Sequence, residues 1–213
     1  MRIVTLSYDQ SITSEGTSNR VTLAGGPVGT ASFEFLHVGH HSISQPAVLD
    51  GYLMGFLLYA AEHADRLVIE GPITAGAVRN ATLLAETWRA WAPERYGVFE
   101  IEPEQTMSDG GSARIGLDRG SDGRAIAGFS GGVDSMFTAL RHSPNSDMRG
   151  RFKATEGVMV HGFDVRHDNQ PAFDELVRRV DPFLDSLGLR RRIVRTDVRR
   201  LLDGREVQEW EHA

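Results

Sequence analysis

The C-terminal half of the chain alternates between strand-like and helix-like segments, and this alternation restricts the fold more than any other feature of the sequence. Strands are predicted at 124–130, 157–164 and 191–197, and helices at 133–142 and 171–188. Such alternation is typical of a parallel sheet with helices packed on its faces. The sequence therefore predicts an α/β domain over residues 124–213, in which Gly188 ends the second helix and Pro182 kinks or splits it.

Residues 1–105 predict a smaller α+β domain in front of it. Short strands are expected at 3–7, 20–25, 31–38, 66–71 and 97–104. One helix follows Pro46, and a second is capped by Thr74 and ended by Pro93. The apolar face of the first helix contains Leu49, Tyr52, Leu53, Phe56, Leu57 and Ala60. Residues 106–123 are rich in Gly, Ser and Asp, which indicates a linker.

Composition excludes several classes of protein. The chain has 213 residues, a formal net charge of -6 and no cysteine, so disulfides, thiolate metal sites and cysteine nucleophiles are absent and nucleic acid is not favoured as a partner. The longest apolar run, at 51–61, is too short to span a bilayer, and the N-terminus has no apolar signal core. We expect a cytoplasmic protein without a membrane partner.

The sequence AGFSGGVDSMF at 127–137 places two glycines between a strand and a helix. The first amides of a helix have no partner within the helix, and the helix dipole adds positive charge there. Gly131 and Gly132 let the backbone approach an anion closely, and Ser130 and Ser135 add hydroxyl groups. The loop is interpreted as a cradle for phosphate, and the alternative is a simple glycine turn.

Asp134 carries the same charge as the proposed ligand. It either shares a divalent cation with the phosphate or caps the helix. The loop lacks the lysine of a Walker A motif and the glycine spacing of a Rossmann fingerprint.

The residues Ser130, Gly131, Gly132, Val133, Asp134 and Ser135 match every position of SGGxDS. This stretch resembles the pyrophosphate-binding loop of the N-type ATP pyrophosphatases, or PP-loop enzymes, which share the adenine nucleotide alpha hydrolase-like fold. The resemblance implies a HUP-type parallel sheet flanked by helices, with ATP and Mg²⁺ bound at this loop and Asp134 contacting the metal.

The resemblance extends to the end of the second strand of that domain, which lies by the adenine in the family. Here it corresponds to Val160 and His161, followed by the expected nucleotide-binding residues Gly162, Phe163 and Asp164. Further landmarks resemble those of a two-part subgroup whose function is poorly defined. They are Thr196, Asp197, Arg199, Trp210 and His212.

The resemblance implies an enzyme that adenylates a carbonyl or carboxylate of a small-molecule or carrier-bound substrate and releases pyrophosphate. A nitrogen nucleophile then completes an amidation, and it is preferred over sulfur because the chain has no thiolation cysteine. Arg166, Arg195 and Arg199 are candidates for neutralising charge. The family continues with further strands, whereas this sequence ends at Ala213 with three, so we expect an incomplete nucleotide domain. The alternative is a non-catalytic module that binds nucleotide or recruits a partner. A homodimer is also open.

Four other groups have competing interpretations. His37, His40 and His41 have a spacing that a metal site could use, but we interpret them as polar loop residues. The remaining groups are best explained without a ligand. Trp88, Trp91 and Tyr96 are interpreted as part of a core or interface. Met136, Phe137 and Leu140 are expected on the buried face of helix 133–142. The arginines are interpreted as a solvated edge, and they are Arg190–Arg192, Arg199 and Arg200.

Overall fold

The computed structural model describes residues 1–26, 29–109, 124–150 and 152–202. In these ranges the fold is α/β, with a mixed, mostly parallel sheet of eight strands and with four helices. The strands are β1 (Ile3–Ile12), β2 (Gly16–Gly25), β3 (Thr30–Val38), β4 (Arg66–Thr74), β5 (Glu100–Met107), β6 (Arg124–Gly128), β7 (Lys153–His161) and β8 (Arg190–Thr196). The helices are α1 (Asp50–His63), α2 (Ala75–Trp91), α3 (Val133–His142) and α4 (Gln170–Ser186), and a short 3₁₀ helix covers Val198–Leu202.

The predicted elements are all present, but the limits of several strands differ from the prediction: β1 and β2 are longer, and β5 and β7 are shifted. The shift of β7 has a clear physical reason. The strand begins at Lys153 rather than at residue 157, because the charged segment before Gly157 pairs with β6 in the ladder. It ends at His161, because the next residue, Gly162, turns the backbone with a φ of 123°.

The chain divides into two compact units. The first contains Met1–Ser11, Asn19–Phe33 and Ser44–Leu117, and the second contains Ile12–Ser18, Glu34–Ile43 and Asp118–Ala213. The second unit therefore contains parts of β2 and β3, although these strands lie early in the sequence and its other strands lie late. The predicted domain limits at 1–105, 106–123 and 124–213 stay a prediction.

In the first unit, β1 pairs in parallel with β4, and β4 pairs in parallel with β5. The central strands bury Val4, Leu6, Leu67 and Ile69 completely. Helix α1 adds the apolar face that its spacing predicted: Leu53, Phe56, Leu57 and Ala60 are buried, together with Ala61. Each such buried side chain of Leu or Phe size stabilises the fold by about 1.5 to 3 kcal/mol.

Helix α2 begins at its predicted cap and ends just before Pro93, as predicted. The Thr74 side chain caps it by accepting a hydrogen bond from the Ala77 N–H at 3.1 Å. Trp91 does not lie in a core, since 72% of this residue is exposed, and the alternative in that prediction, an interface, stays a prediction. Tyr96 takes the buried position at this end of the helix, and Trp88 packs edge-on against both aromatic rings.

In the second unit, the C-terminal half of β3 pairs antiparallel with β8, and β8, β7 and β6 follow as parallel neighbours. Helices α3 and α4 supply the core of this unit together with the strands. Its buried members are Ala127, Phe129, Ala139, Ala154, Met159, Phe173, Val180, Leu184 and Leu189.

Helix α4 runs without interruption through Pro182, so Pro182 does not split it, and the predicted alternative of a kink stays a prediction. Val180 and Leu184, on either side of the proline, are both buried in the core, and this packing keeps the two halves in one helix. Gly188 ends the helix as predicted, with a φ of 69°. The Gly188 N–H bonds to the Asp185 carbonyl at 3.0 Å and the Leu189 N–H to the Leu184 carbonyl at 3.0 Å, the pattern of a Schellman motif.

Helix α3 does not bury the face that its sequence predicted. Ala139 is fully buried and Met136 is partly buried, but Phe137 is 53% exposed and Leu140 is 45% exposed. The face toward the core therefore carries a small residue, and the large apolar residues lie on the flank of the helix. In the parts of the chain that the structure describes, no helix is both long and apolar enough to cross a membrane.

Candidate functional site

The bend between β6 and α3 is anchored on one side and open on the other. Phe129 is buried, and its N–H donates to the Val158 carbonyl at 2.7 Å. Gly131 has a φ of 81°, and a Cβ added there would lie 3.0 Å from Cγ1 of Val180. Both the backbone conformation and the packing of α4 therefore require glycine at this position.

The start of α3 leaves its backbone donors open. Gly132 is the N-cap residue and offers no side-chain cap, and the first helical bond runs from the Met136 N–H to the Gly132 carbonyl at 2.9 Å. Within the described ranges, the N–H groups of Val133, Asp134 and Ser135 have no acceptor. Three adjacent donors at the positive end of a helix dipole favour an anion at this point.

The two serines of the loop bond within the loop. The Ser135 hydroxyl donates to the Gly132 carbonyl at 2.9 Å, and the Ser130 hydroxyl donates to the Ser135 hydroxyl oxygen at 3.3 Å. The Gly132 N–H has only a long contact of 3.4 Å with Ser130 Oγ. The two hydroxyls thus stabilise the bend. To donate hydrogen bonds to a ligand, they would have to rotate away from their present acceptors.

A cavity of about 250 Å³ joins this loop to the end of β7. Its wall is largely apolar, with the two serine side chains at one side and Asp164 at another. It is lined by Gly128, Phe129, Ser130, Ser135, Val158, Met159, Val160, Phe163, Asp164, Val165, Phe173 and Leu176. Ligand pockets more often measure about 300 to 1,000 Å³, so this cavity suits a base or nucleoside rather than a whole nucleotide.

The residues predicted after β7 are only partly brought into the cavity. Phe163 and Asp164 line it, whereas Gly162 is buried behind it and its N–H donates to the Val165 carbonyl at 2.9 Å. Glycine is required at 162 because an added Cβ would lie 1.9 Å from the Thr196 carbonyl oxygen. Gly162 therefore shapes the turn, while the next two residues face the cavity.

His161 points away from the cavity. Its ring stacks on Phe173 with 4.3 Å between centroids, and its Nε2 donates to the Arg166 carbonyl at 2.9 Å. Burial lowers the pKa of His161, with a smaller opposing effect from the hydrogen bond to Arg166. Stacked on Phe173 and bonded through Nε2, His161 supports the wall of the cavity.

Asp134, the predicted magnesium ligand, is exposed in the first turn of α3. Among the residues that the structure describes, no three His, Asp or Glu side chains come together to hold a metal ion. A cation at Asp134 would therefore depend on oxygens of a bound nucleotide for most of its ligands.

The three predicted arginines already have partners. Arg166 forms an ion pair with Asp168 at 3.1 Å, and Arg195 pairs with Glu15 at 2.8 Å. Arg199 donates to the Phe163 carbonyl at 2.6 Å. Of these, Arg199 is tied directly to a residue of the cavity wall.

Of the predicted histidines and the arginine run, His40, Arg190 and Arg192 lie near Glu156. This carboxylate is 8% exposed and pairs with Arg192 and with Arg190, the latter at 2.8 Å. The hydrogen bond from Arg192 lowers the pKa of Glu156 despite its burial. Burial and the nearby Arg192 lower the pKa of His37 and of His40. Arg191 pairs instead with Asp181, so this run is ion-paired rather than simply solvated.

The landmarks of the two-part subgroup fall in different places. Thr196 is buried, and Asp197 accepts a hydrogen bond from the Glu34 N–H at 2.9 Å. Trp210 and His212 lie outside the described residues.

Sequence reasoning missed much of the cavity wall. Val158, Val165, Phe173 and Leu176 line it, and their apolar spacing indicated only a core. The signal that could have found them is their position next to the two predicted ligand-binding segments, since the carboxyl ends of neighbouring parallel strands meet at one edge of a sheet.

Comparisons of the chain with protein-family models, with curated proteins and with solved structures each give no match.

Proposed function

We propose that this chain binds ATP through residues 130–135 and that it adenylates a carbonyl or carboxylate of a small-molecule or carrier-bound substrate. The observation that carries the proposal is the set of three open N–H groups at Val133, Asp134 and Ser135, next to a mostly apolar cavity. One end of this arrangement suits a phosphate, and the other suits a planar base.

The phosphates would lie over the start of α3. Its N–H groups donate hydrogen bonds to anionic oxygens, and hydrogen bonds to charged groups each contribute about 1.5 to 3 kcal/mol. Because Gly132 has no side chain, a phosphate oxygen can approach the backbone there. Mg²⁺ bound to the phosphates would neutralise charge beside Asp134.

The base would lie in the cavity beyond the loop. Val158 and Val160 from β7 and Phe163 after it supply apolar surface, and Asp164 supplies an acceptor for an amino group. The cavity volume of about 250 Å³ fits this division, with the triphosphate outside the cavity along the exposed loop.

In the proposed reaction, a substrate oxygen attacks the α-phosphorus of ATP and the bond to the β-phosphate oxygen breaks. Pyrophosphate leaves with its charge held by the loop, and the substrate carries AMP. A nitrogen nucleophile then attacks the activated carbon, loses a proton, and expels AMP. The residues of this chain contribute positioning and electrostatic stabilisation.

The direct test is calorimetric titration of the protein with ATP, with and without Mg²⁺, and an assay of pyrophosphate release in the presence of candidate acids and ammonia. We expect binding that requires Mg²⁺, and weaker binding in the Asp134→Ala variant with an unchanged circular dichroism spectrum. Asp147→Ala, which removes another exposed aspartate of the second unit, is the matched control. No binding of ATP by the wild-type chain would overturn the proposal.

A second function is a module that binds nucleotide without catalysis. The observation that favours it is the pairing of Arg166 and Arg195 with carboxylates, which leaves neither free to stabilise a transition state. Tight ATP binding, without release of pyrophosphate from ATP in the presence of any acid tested, would support this function over the enzyme.

A further inference from the structure

Three large apolar side chains are exposed together along one flank of α3, in the second unit. Val133 is 84%, Phe137 53% and Leu140 45% exposed. They are spaced four and three apart, so they form one stripe along the helix. Ile126 on β6 is 67% exposed too, but it lies on the other face of the sheet, because its neighbour Ala127 faces the core under α3. We call the stripe on α3 together with strand β6 the β6–α3 edge. An exposed apolar stripe of this kind is typical of an interaction site.

The strand in this surface is also open. β6 is the last strand in the order of the sheet, so one side of its backbone has no strand partner among the described residues. Apart from Arg124 at its start, its sequence, RAIAG, contains none of the charged residues or prolines that commonly protect an edge from pairing. The edge can therefore accept another strand.

We propose that the β6–α3 edge binds the same edge of a second copy of this chain. In that dimer, β6 pairs antiparallel with β6 of the second copy about a two-fold axis normal to the sheet near Ile126. Such an axis keeps each face of the sheet on the same side, so the two α3 helices lie next to each other. Their apolar stripes then meet, with Phe137 at the centre.

The spacing of the elements suits this arrangement. Helix α3 packs on both β6 and β7, so its axis lies over the space between them. Neighbouring strands are about 4.8 Å apart. Two helices placed in this way across a β6–β6 pair are separated by about 10 Å, which is the distance at which helices pack.

The charges on α3 favour a second copy over an unrelated partner. Asp134 lies in the first turn and Arg141 in the last, two turns apart on the same side of the helix. Neither forms an ion pair with another described residue. In an antiparallel pair of α3 helices, Asp134 of each copy lies beside Arg141 of the other, which gives two complementary contacts.

Val133 and Asp134 belong both to this interface and to the 130–135 loop, so the dimer is measured without nucleotide, where it does not rest on the proposed ATP site.

Sedimentation equilibrium over a range of protein concentrations tests the proposal. We expect the wild-type chain to reach twice its monomer mass, and Phe137→Glu to raise the dimer dissociation constant by about 30-fold or more, since it puts a charge at the centre of the interface. Leu83→Glu is the matched control, because Leu83 is a 65% exposed apolar residue on α2 in the first unit. We expect this control to leave the dissociation constant unchanged.

A charge exchange distinguishes a second copy from other occupants. Arg141→Asp should weaken the dimer by about 3- to 10-fold, and the double variant Asp134→Arg with Arg141→Asp should restore it. Slower hydrogen exchange of the β6 amides at high wild-type concentration than at low concentration would support the strand pairing without any variant. A wild-type chain that remains monomeric at all concentrations would overturn the proposal, and so would a dimer that Phe137→Glu does not weaken although the variant remains folded.

Discussion

The N-termini of α2 and α3 both adjoin a cavity, but their donors are used in opposite ways. At α2, Thr74 accepts from the Ala77 N–H, and the Asp109 carboxylate accepts from the Gly76 N–H at 2.5 Å. At α3, no side chain caps the helix, and the donors at Val133 to Ser135 are open. The chain thus satisfies one helix start with its own carboxylate and leaves the other available.

The lining of the two cavities follows the same division. The cavity of about 410 Å³ at α2 has two carboxylates in its wall, from Asp50 and Asp109. The cavity at α3 has serine hydroxyls near the helix and one carboxylate, Asp164, at the end of β7. The positive end of the helix dipole therefore stabilises a carboxylate of the chain itself at α2 and, as we propose, the phosphate of a bound ligand at α3.

The largest expected difference between the two sites concerns glycine substitutions. Gly131→Ala should decrease the free energy of unfolding by about 2 to 3 kcal/mol, because alanine is strained at a φ of 81° and its Cβ contacts Val180. Gly76→Ala should change it by less than about 1 kcal/mol, since the added Cβ meets only the exposed Asp109 carboxylate, which can move. Urea denaturation of both variants measures the difference. Equal losses would show that the open loop is no more constrained than the closed one.

Gly132→Ala is expected to affect the ligand without affecting the fold. Its Cβ would lie no closer than 3.5 Å to a described atom, and its φ of -81° suits alanine. A methyl group over the open donors should raise the dissociation constant for Mg-ATP by about tenfold, the effect of losing one charge-assisted hydrogen bond. Calorimetric titration measures this, with Gly97→Ala as the control at an exposed glycine with open space around it. An unchanged affinity would mean that phosphate does not approach this backbone.

Hydroxyl deletions should have opposite consequences at the two helix starts. Thr74→Ala removes the cap of α2 and a partner of Asp50, and should cost about 1 kcal/mol of stability. Ser135→Ala removes a hydroxyl that caps no N–H, so we expect a smaller loss of stability and weaker ATP binding. Thermal unfolding with and without Mg-ATP separates the two effects. The comparison fails if Ser135→Ala destabilises the apoprotein as much as Thr74→Ala does.

The smallest expected effect is a pH dependence at α2. The hydrogen bond from Arg79, followed by that from the Gly76 N–H, holds the pKa of Asp109 below its ordinary value of 3.8. Because the folded pKa is the lower one, the stabilisation is fully present above pH 3.8 and is lost as the pH falls through the folded value. Asp109→Asn should therefore reduce the acid sensitivity of unfolding below that pH. Parallel acid titrations of the variant and wild type, followed by circular dichroism, would contradict the assignment if they coincide.

The spacing of apolar residues predicted where the helices and strands lie, but it predicted less well which helix faces are buried. The face of α1 was correct because Leu53, Phe56 and Leu57 all meet a sheet that covers them. On α3 the same logic misplaced Phe137 and Leu140, because a spacing reveals which residues share a side and not whether anything lies opposite.

The candidate site was likewise predicted only in part. The sequence of the 130–135 loop was enough to predict a strand, a tight bend and a helix start. It could not predict that the N–H of Gly162 is used within its own turn, or that Arg195 meets Glu15, since both depend on contacts between segments distant in sequence or on local backbone direction.

The bond from Arg199 to the Phe163 carbonyl joins the segment after β8 to the rim of the cavity. A ligand that displaced the half-exposed Phe163 ring would shift this carbonyl and pull on the guanidinium group. Movement of Phe163 would therefore disturb the 3₁₀ turn at Val198–Leu202 as well as the rim of the cavity.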